Sequence, residues 1–186
     1  MKLFSKKKLH EDAIEISLSE FISITGGVIA GTFLLDLVNS VGLLAGFLIL
    51  YPGLLEMNGN IFGSLAARLS NLLIVGEIKT RNDLKKFILR NIFATFFLAL
   101  SISLILGLIV YFFVYFIFHI NNLAIIYTSV LSSLLSALIQ FPLTIYATIL
   151  VYKHNLDPEN IMGPDITTFS DIISIVSLII AARVLI

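Results

Sequence analysis

Residues 91–152 read NIFATFFLALSISLILGLIVYFFVYFIFHINNLAIIYTSVLSSLLSALIQFPLTIYATILVY, a stretch without one Asp, Glu, Lys or Arg. A helix needs about 20 apolar residues to cross the hydrocarbon core of a bilayer, so this run is too long for a single crossing. Its only polar interruption is His119-Ile120-Asn121-Asn122. The stretch therefore predicts two membrane-spanning helices, over 91–118 and 123–152, joined by a hairpin turn.

The composition agrees. Of 186 residues 58% are hydrophobic, the mean hydropathy is +1.02, and 13% are charged, where a soluble domain averages about 25%. The 12 Lys and Arg balance the 12 Asp and Glu, so there is no positive excess of the kind that binds nucleic acid. The absence of Cys excludes disulfides, thiolate metal sites and cysteine nucleophiles. Without Trp, an interfacial aromatic belt has to come from the 6 Tyr and some of the 15 Phe.

Working outward, residues 18–37 form a first span and residues 166–186 a fifth. Residues 41–76, with Pro52 and the polar run Glu56-Met57-Asn58-Gly59-Asn60, form a second that is about 54 Å long if wholly helical. That exceeds a ~30 Å crossing, so the segment is expected to be broken, tilted or extended beyond the membrane. Pro158, Gly163 and Pro164 predict an irregular approach to the fifth span. Residues 1–17 are not a secretory signal, because Glu11, Asp12, Glu15 and Glu20 follow the Lys cluster and no cleavage site closes it. They are read as a cytoplasmic segment, lying on the membrane surface or frayed, and residues 18–186 as one transmembrane domain. Ten of the twelve basic residues fall before the first span, between the second and third, or after the fourth, all but Arg68 and Arg183. The turns at 38–40 and 119–122 carry none. By the positive-inside rule the N-terminus is cytoplasmic and the C-terminus outside, in a multi-pass protein of the cell membrane.

Charge inside a span is costly and marks candidate function. Asp36 and Arg183 lie near helix ends and can snorkel to water, and Arg68 lies near the cytoplasmic boundary, where a headgroup or helix-end contact suffices. Asp171 lies deeper, among Ile172, Ile173, Ile175 and Val176, and needs a partner or a wet cavity. Asn58 and Asn60 of the second helix reach a similar depth by helical rise. Glu56, Asn60 and Ser64 share one helix face, extended by Asn71; the plainer role of such a stripe is hydrogen-bonding glue. All these ligand atoms are oxygens, joined by carbonyls freed near Gly59, Gly163 and Pro164, and oxygen-only sites select hard cations: Mg²⁺, with Mn²⁺ or Ca²⁺ as alternatives. One Asp171 supplies one negative charge, and two copies across a twofold axis would match a divalent ion. Ser19, Ser23, Gly27 and Gly31 permit a close helix approach, within the protomer or across a dimer. Gln140 and Pro142 suggest a polar contact and a kink.

The run Tyr51-Pro52-Gly53-Leu54-Leu55-Glu56-Met57-Asn58-Gly59-Asn60, continuing to Gly76-Glu77-Ile78, resembles the second-helix signature of the MgtE magnesium transporters and the related eukaryotic magnesium-transporting solute carriers. Asp157-Pro158-Glu159-Asn160, Gly163-Pro164, Thr167-Thr168 and Ser170-Asp171 resemble their fourth-to-fifth-helix signature, and Gly26-Gly27-Val28-Ile29-Ala30-Gly31 fits the first helix. The resemblance covers about residues 13–186. It implies an all-α, five-helix homodimeric pore in which Asp171 of both protomers binds hydrated Mg²⁺ on the axis. It further implies that Asp157 acts at the cytoplasmic mouth and that the Thr167 backbone carbonyl helps coordinate the ion. Asn58-Gly59-Asn60 departs from the usual bacterial Gly-Gly-Asn, and Gly163 replaces a polar residue of many bacterial members. With about 17 residues before the first helix, gating by the bacterial cytosolic sensor is not transferred.

The expectation is thus a membrane-embedded homodimer that transports Mg²⁺ through an axial site of Asp171, Thr167, Asp157, Asn60, Asn58 and Glu56. A Na⁺-coupled Mg²⁺ exchanger or exporter is the near alternative; a Mg²⁺-dependent membrane enzyme or a non-conducting assembly subunit belongs to another class. The enzyme is disfavoured because Asp157, Asp165 and Asp171 are dispersed and His10, His119 and His154 are not paired with them.

Overall fold

The computed structural model describes the backbone of residues 6–41, 45–154 and 156–185, and the side chains of 12–33, 46–154, 156–157, 160–163 and 165–185. Among these the regular elements are five helices: α1 (Lys6–Val41), α2 (Ala45–Val75), α3 (Arg81–Phe118), α4 (Ala124–Lys153) and α5 (Pro158–Leu185). Four helical stretches are long and apolar enough to cross a membrane: Asp12–Phe33, Arg81–Phe118, Ala124–Lys153 and Asn160–Leu185. α2 is long enough too, but Glu56, Asn58, Asn60, Arg68 and Asn71 dilute its apolar content. The chain is a multi-pass helical membrane protein.

The hairpin at 119–122 is as expected. α3 ends at Phe118, His119 turns left-handed with φ 56°, and the Asn122 side chain accepts from the Ala124 N–H at 3.0 Å. At the other end of α3 Thr80 and Asp83 form a capping box, so the helix begins ten residues before its apolar run, through Arg81, Lys85, Lys86 and Arg90. α2 stops in a Schellman motif, with Gly76 at φ 79° and the Glu77 N–H on the Leu72 carbonyl at 2.9 Å.

Three expected interruptions are absent. The second segment is one continuous helix despite Pro52, because a single proline removes one rung of the ladder and the polar run after it finds side-chain partners without leaving helical geometry. α5 begins at Pro158, where a missing N–H costs nothing at the first helical position, and continues past Pro164. Pro164 has no N–H for the Asn160 carbonyl four residues earlier, and the Ser19 hydroxyl donates to the neighbouring Ile161 carbonyl at 3.1 Å. Residues 6–17 and 38–40 belong to α1, which is one helix rather than a surface segment, a span and a loop. The side chain of Asp36 lies outside the described residues.

α5 is the hub: α1, α2 and α4 all pack on it. α2 also packs on α3 and α4, α3 packs on α4, and among the described residues α1 packs on α5 alone. The interior is built of small and hydroxylic residues. On α3, Phe87, Asn91, Thr95, Ala99, Ser103 and Gly107 recur every fourth position and are buried, facing a stripe on α4 that includes Ser129, Ser133, Ser136 and Gln140. Ser103 is fully buried while Phe93 is 76% exposed, the reverse of a soluble core and the arrangement expected where lipid surrounds the protein. Ser129 Oγ donates to the Ser103 carbonyl at 2.7 Å and Ser133 Oγ to that of Ala99 at 3.2 Å.

Within the protomer the close approach on α1 is made by Gly26, not by Gly27 or Gly31. A Cβ at Gly26 would collide with Thr168 of α5, while nothing lies within 4 Å of a Cβ at Gly27 or Gly31. Ser23 and Thr168 share a hydrogen bond at 2.6 Å beside Gly26, and Ala30 is buried one turn on. At the α3–α4 crossing a Cβ on Gly107 would lie 3.0 Å from the Ile126 Cα and 3.0 Å from the Ser129 Cβ. Gly107→Leu is therefore expected to destabilise the protein by about 1–3 kcal/mol through overpacking, seen as a lower thermal midpoint in detergent. Gly163→Ala, where nothing lies within 4 Å, should leave the midpoint unchanged or raise it.

Candidate functional site

α2 and α5 enclose between them a cavity of about 450 Å³. On α2, Tyr51, Pro52, Leu55, Glu56, Gly59 and Asn60 line it, a set spaced by three and four residues and so one helix face. On α5, Thr167 and Asp171 line it, again four apart. Asp171 is half-buried, whereas Pro52, Glu56, Asn60 and Thr167 are exposed. The cavity therefore opens to the outside of the helix bundle. By helical rise Asp171 is about 20 Å from either end of α5, too far for its short side chain to reach water along the helix.

Two of the cavity's donors are engaged, and several of its acceptors are not. Asn60 Nδ2 donates to Glu56 Oε1 at 2.9 Å, and the Thr167 hydroxyl donates to the Gly163 carbonyl at 3.2 Å. The second Glu56 oxygen, the Asn60 amide oxygen and the Asp171 carboxylate remain to accept from the water shell of a cation. Among the described residues no three His, Asp or Glu side chains gather closely enough to hold a metal ion by themselves.

Of the other expected site residues, Asn58 is buried, 1% exposed, and points away from the cavity. Its Nδ2 donates to Ser174 of α5 at 2.8 Å and to Ser136 of α4 at 3.3 Å. Gln140 joins the same node, donating to Ser136, to Ser174 at 3.4 Å and to the Ser170 carbonyl at 3.4 Å. Asp157 sits just before α5, about 21 Å from Asp171 by helical rise, outside the cavity; its N–H donates to Glu15 of α1 at 3.3 Å. Asp165 accepts from the Ser19 hydroxyl at 3.0 Å, and Arg183 lies in the last turn of α5. Ser136 and Ser174, whose hydroxyls help hold α2, α4 and α5 in register, were not singled out from the sequence. Their signal was the recurrence of small hydroxylic residues at helical spacing: Ser129, Ser132, Ser133 and Ser136 on α4, and Ser170, Ser174 and Ser177 on α5.

The sequence profile of the MgtE family, divalent cation transporters, matches residues 51–181. No curated protein matches the chain. The matched range runs from Tyr51 of α2 to Ala181 of α5 and contains every residue that lines the cavity. α1 falls outside it, so the resemblance expected from residue 13 is found over α2–α5.

The two asparagines should separate in experiment. Asn58→Ala removes the donor that joins α2 to α4 and α5, so it should cost about 1–3 kcal/mol and lower the thermal midpoint in detergent. Asn60→Ala, at an exposed position on the cavity, should change stability by no more than about 0.5 kcal/mol.

Proposed function

Since the chain belongs to the MgtE family of divalent cation transporters, we propose that it carries Mg²⁺ across the cell membrane through the axial pore of a homodimer lined by α2 and α5. The observation that supports this most is the outward-opening cavity with Glu56 and Asp171 on its walls. A carboxylate facing hydrocarbon costs about 2.5–3.5 kcal/mol even on the mildest scale. A second copy related by a twofold axis removes that cost by turning two half-cavities into one enclosed, wet path.

In this arrangement α2 is the fifth crossing, the N-terminus is cytoplasmic and the C-terminus outside. Two Asp171 and two Glu56 face a hydrated ion, the Asn60 amide oxygen and the Thr167 carbonyl complete the ring of acceptors, and Asp157 draws cations to the cytoplasmic mouth. Mg²⁺ suits a site of few carboxylates because it sheds its waters reluctantly and is recognised through them. Mn²⁺ and Ca²⁺ share the oxygen preference and are the expected competitors. An inside-negative potential supplies about 4.6 kcal/mol per 100 mV for a divalent ion, enough to drive uptake without a coupled ion.

The wild-type protein in liposomes should pass Mg²⁺ down its gradient with no Na⁺ present. Asp171→Ala should abolish that flux while the protein still cross-links as a dimer. Flux unchanged by Asp171→Ala would remove the axial aspartate from the mechanism. A strict requirement for a Na⁺ gradient would replace the passive pathway with an exchanger.

A further inference from the structure

A second cavity, of about 700 Å³, lies between the C-terminal part of α2 and the first turns of α3. Three cationic side chains line it: Arg68 from α2, and Lys86 and Arg90, one turn apart on α3. Arg68 commits only its Nε, to the Ser64 carbonyl at 3.1 Å, and so keeps four further N–H donors. Two carboxylates share the wall, Glu77 and Asp83. Asp83 is held in the α3 capping box, where its Oδ2 accepts from the Thr80 N–H at 3.0 Å and the Thr80 hydroxyl at 2.7 Å. Among the described residues none of the three cations is hydrogen-bonded to either carboxylate. Three cations from two helices thus line one space with two carboxylates, Asp83 within electrostatic reach of Lys86, which leaves one positive charge in excess.

The place of this cavity along the chain indicates what carries the missing charge. Arg90 immediately precedes Asn91, the first residue of the uncharged stretch that runs to Tyr152, so the cavity sits where the protein passes from water to hydrocarbon. Leu72, Phe87 and Ala94 supply apolar wall beside the cations. Ile74 and Val75 on α2, and Leu89 and Phe93 on α3, are exposed on the same two helices. A ligand that satisfies both halves has an anionic, multiply accepting head and an apolar body.

We propose that this cavity binds the phosphate of an anionic membrane lipid, with Arg68, Lys86 and Arg90 on the phosphate oxygens and the acyl chains against the apolar surfaces of α2 and α3. Guanidinium groups suit this role because their planar donors match phosphate oxygens two at a time. The site is independent of the α2–α5 cavity and of what passes through it. Asp171→Ala should leave it intact.

The test is the thermal midpoint of the purified protein in neutral detergent, with lipids added one at a time. Phosphatidylglycerol should raise the midpoint, phosphatidylcholine should not, and added salt should shrink the shift. The Arg68→Gln/Arg90→Gln double variant changes two exposed side chains and should keep the lipid-free midpoint. Its affinity for phosphatidylglycerol should fall about tenfold or more. Native mass spectrometry of Lys86→Gln gives a second readout, loss of bound phosphatidylglycerol relative to wild type. Equal shifts from the two lipids, or a phosphatidylglycerol shift that survives in the double variant, would overturn the site. A shift from millimolar inorganic phosphate equal to that from phosphatidylglycerol would overturn the lipid assignment in favour of a soluble phosphate compound.

Discussion

The hydrogen-bonded node in which Asn58 of α2 meets Ser136 and Gln140 of α4 and Ser174 of α5 governs how the candidate site is presented. Residues two apart on a helix point about 200° away from each other. Fixing Asn58 inward therefore turns Glu56 and Asn60 outward, onto the cavity. Ser174 is three residues beyond Asp171, so the bond that holds it to Asn58 also sets the rotation of α5 that brings Asp171 and Thr167 opposite Glu56. The cavity is thus a consequence of a polar contact made behind it. Asn58 Oδ1, Gln140 Oε1 and Ser170 Oγ are buried there without partners, so the node retains acceptors beyond those its own donors use.

That two amides and three serines occupy the middle of the bundle follows from the solvent. Lipid tails are as apolar as leucine, so burying leucine between helices gains little; close backbone approach and hydrogen bonds to carbonyls have to hold the helices together. The four-residue recurrence on α3, from Phe87 to Gly107, supplies the close approach, and the serines of α4 supply the bonds. The large apolar side chains go outward. At the C-terminal end of α3, Tyr111, Phe112, Tyr115 and Phe116 stack on one another beside the turn at 119–122, the aromatic girdle that a chain without Trp must build from other rings.

What could be read in the sequence was whatever depended on one helix at a time. The apolar stretch at 91–152 with its His119–Asn122 interruption specified α3, α4 and the turn between them, because length against bilayer thickness is a local quantity. The breaks expected at Pro52, Pro158 and Pro164 did not occur, because the cost of a proline is visible in sequence and its relief is not. Ser19, on a helix more than a hundred residues earlier, meets the Ile161 carbonyl near Pro164. Glu56 and Asn60 were legible through helix face and Asp171 through depth, while Thr167 came only with the family resemblance. The i, i+2 spacing of Asn58 and Asn60 already argued against both facing one ion. The gathering of Arg68 with Lys86 and Arg90 depends on the turn at Gly76 folding α3 back along α2; charge counting placed Lys86 and Arg90 on a cytoplasmic segment and left Arg68 apart from them.

The thinness of the ligand set on the α2–α5 cavity is itself informative. A protein that stores a divalent ion surrounds it with several carboxylates in direct contact, and the ion then leaves slowly. Conduction asks for binding strong enough to admit the ion and weak enough to release it. In the proposed pore Glu56 and Asp171, from two helices, with neutral acceptors at Asn60 and Thr167 beside them, would meet an ion through its waters and leave its hydration shell in place. Deeper charge would strengthen selection against monovalent ions and slow exit in the same step. Two carboxylates per copy, Glu56 exposed and Asp171 half-buried, at mid-helix depth on an open face, fit a path better than a trap.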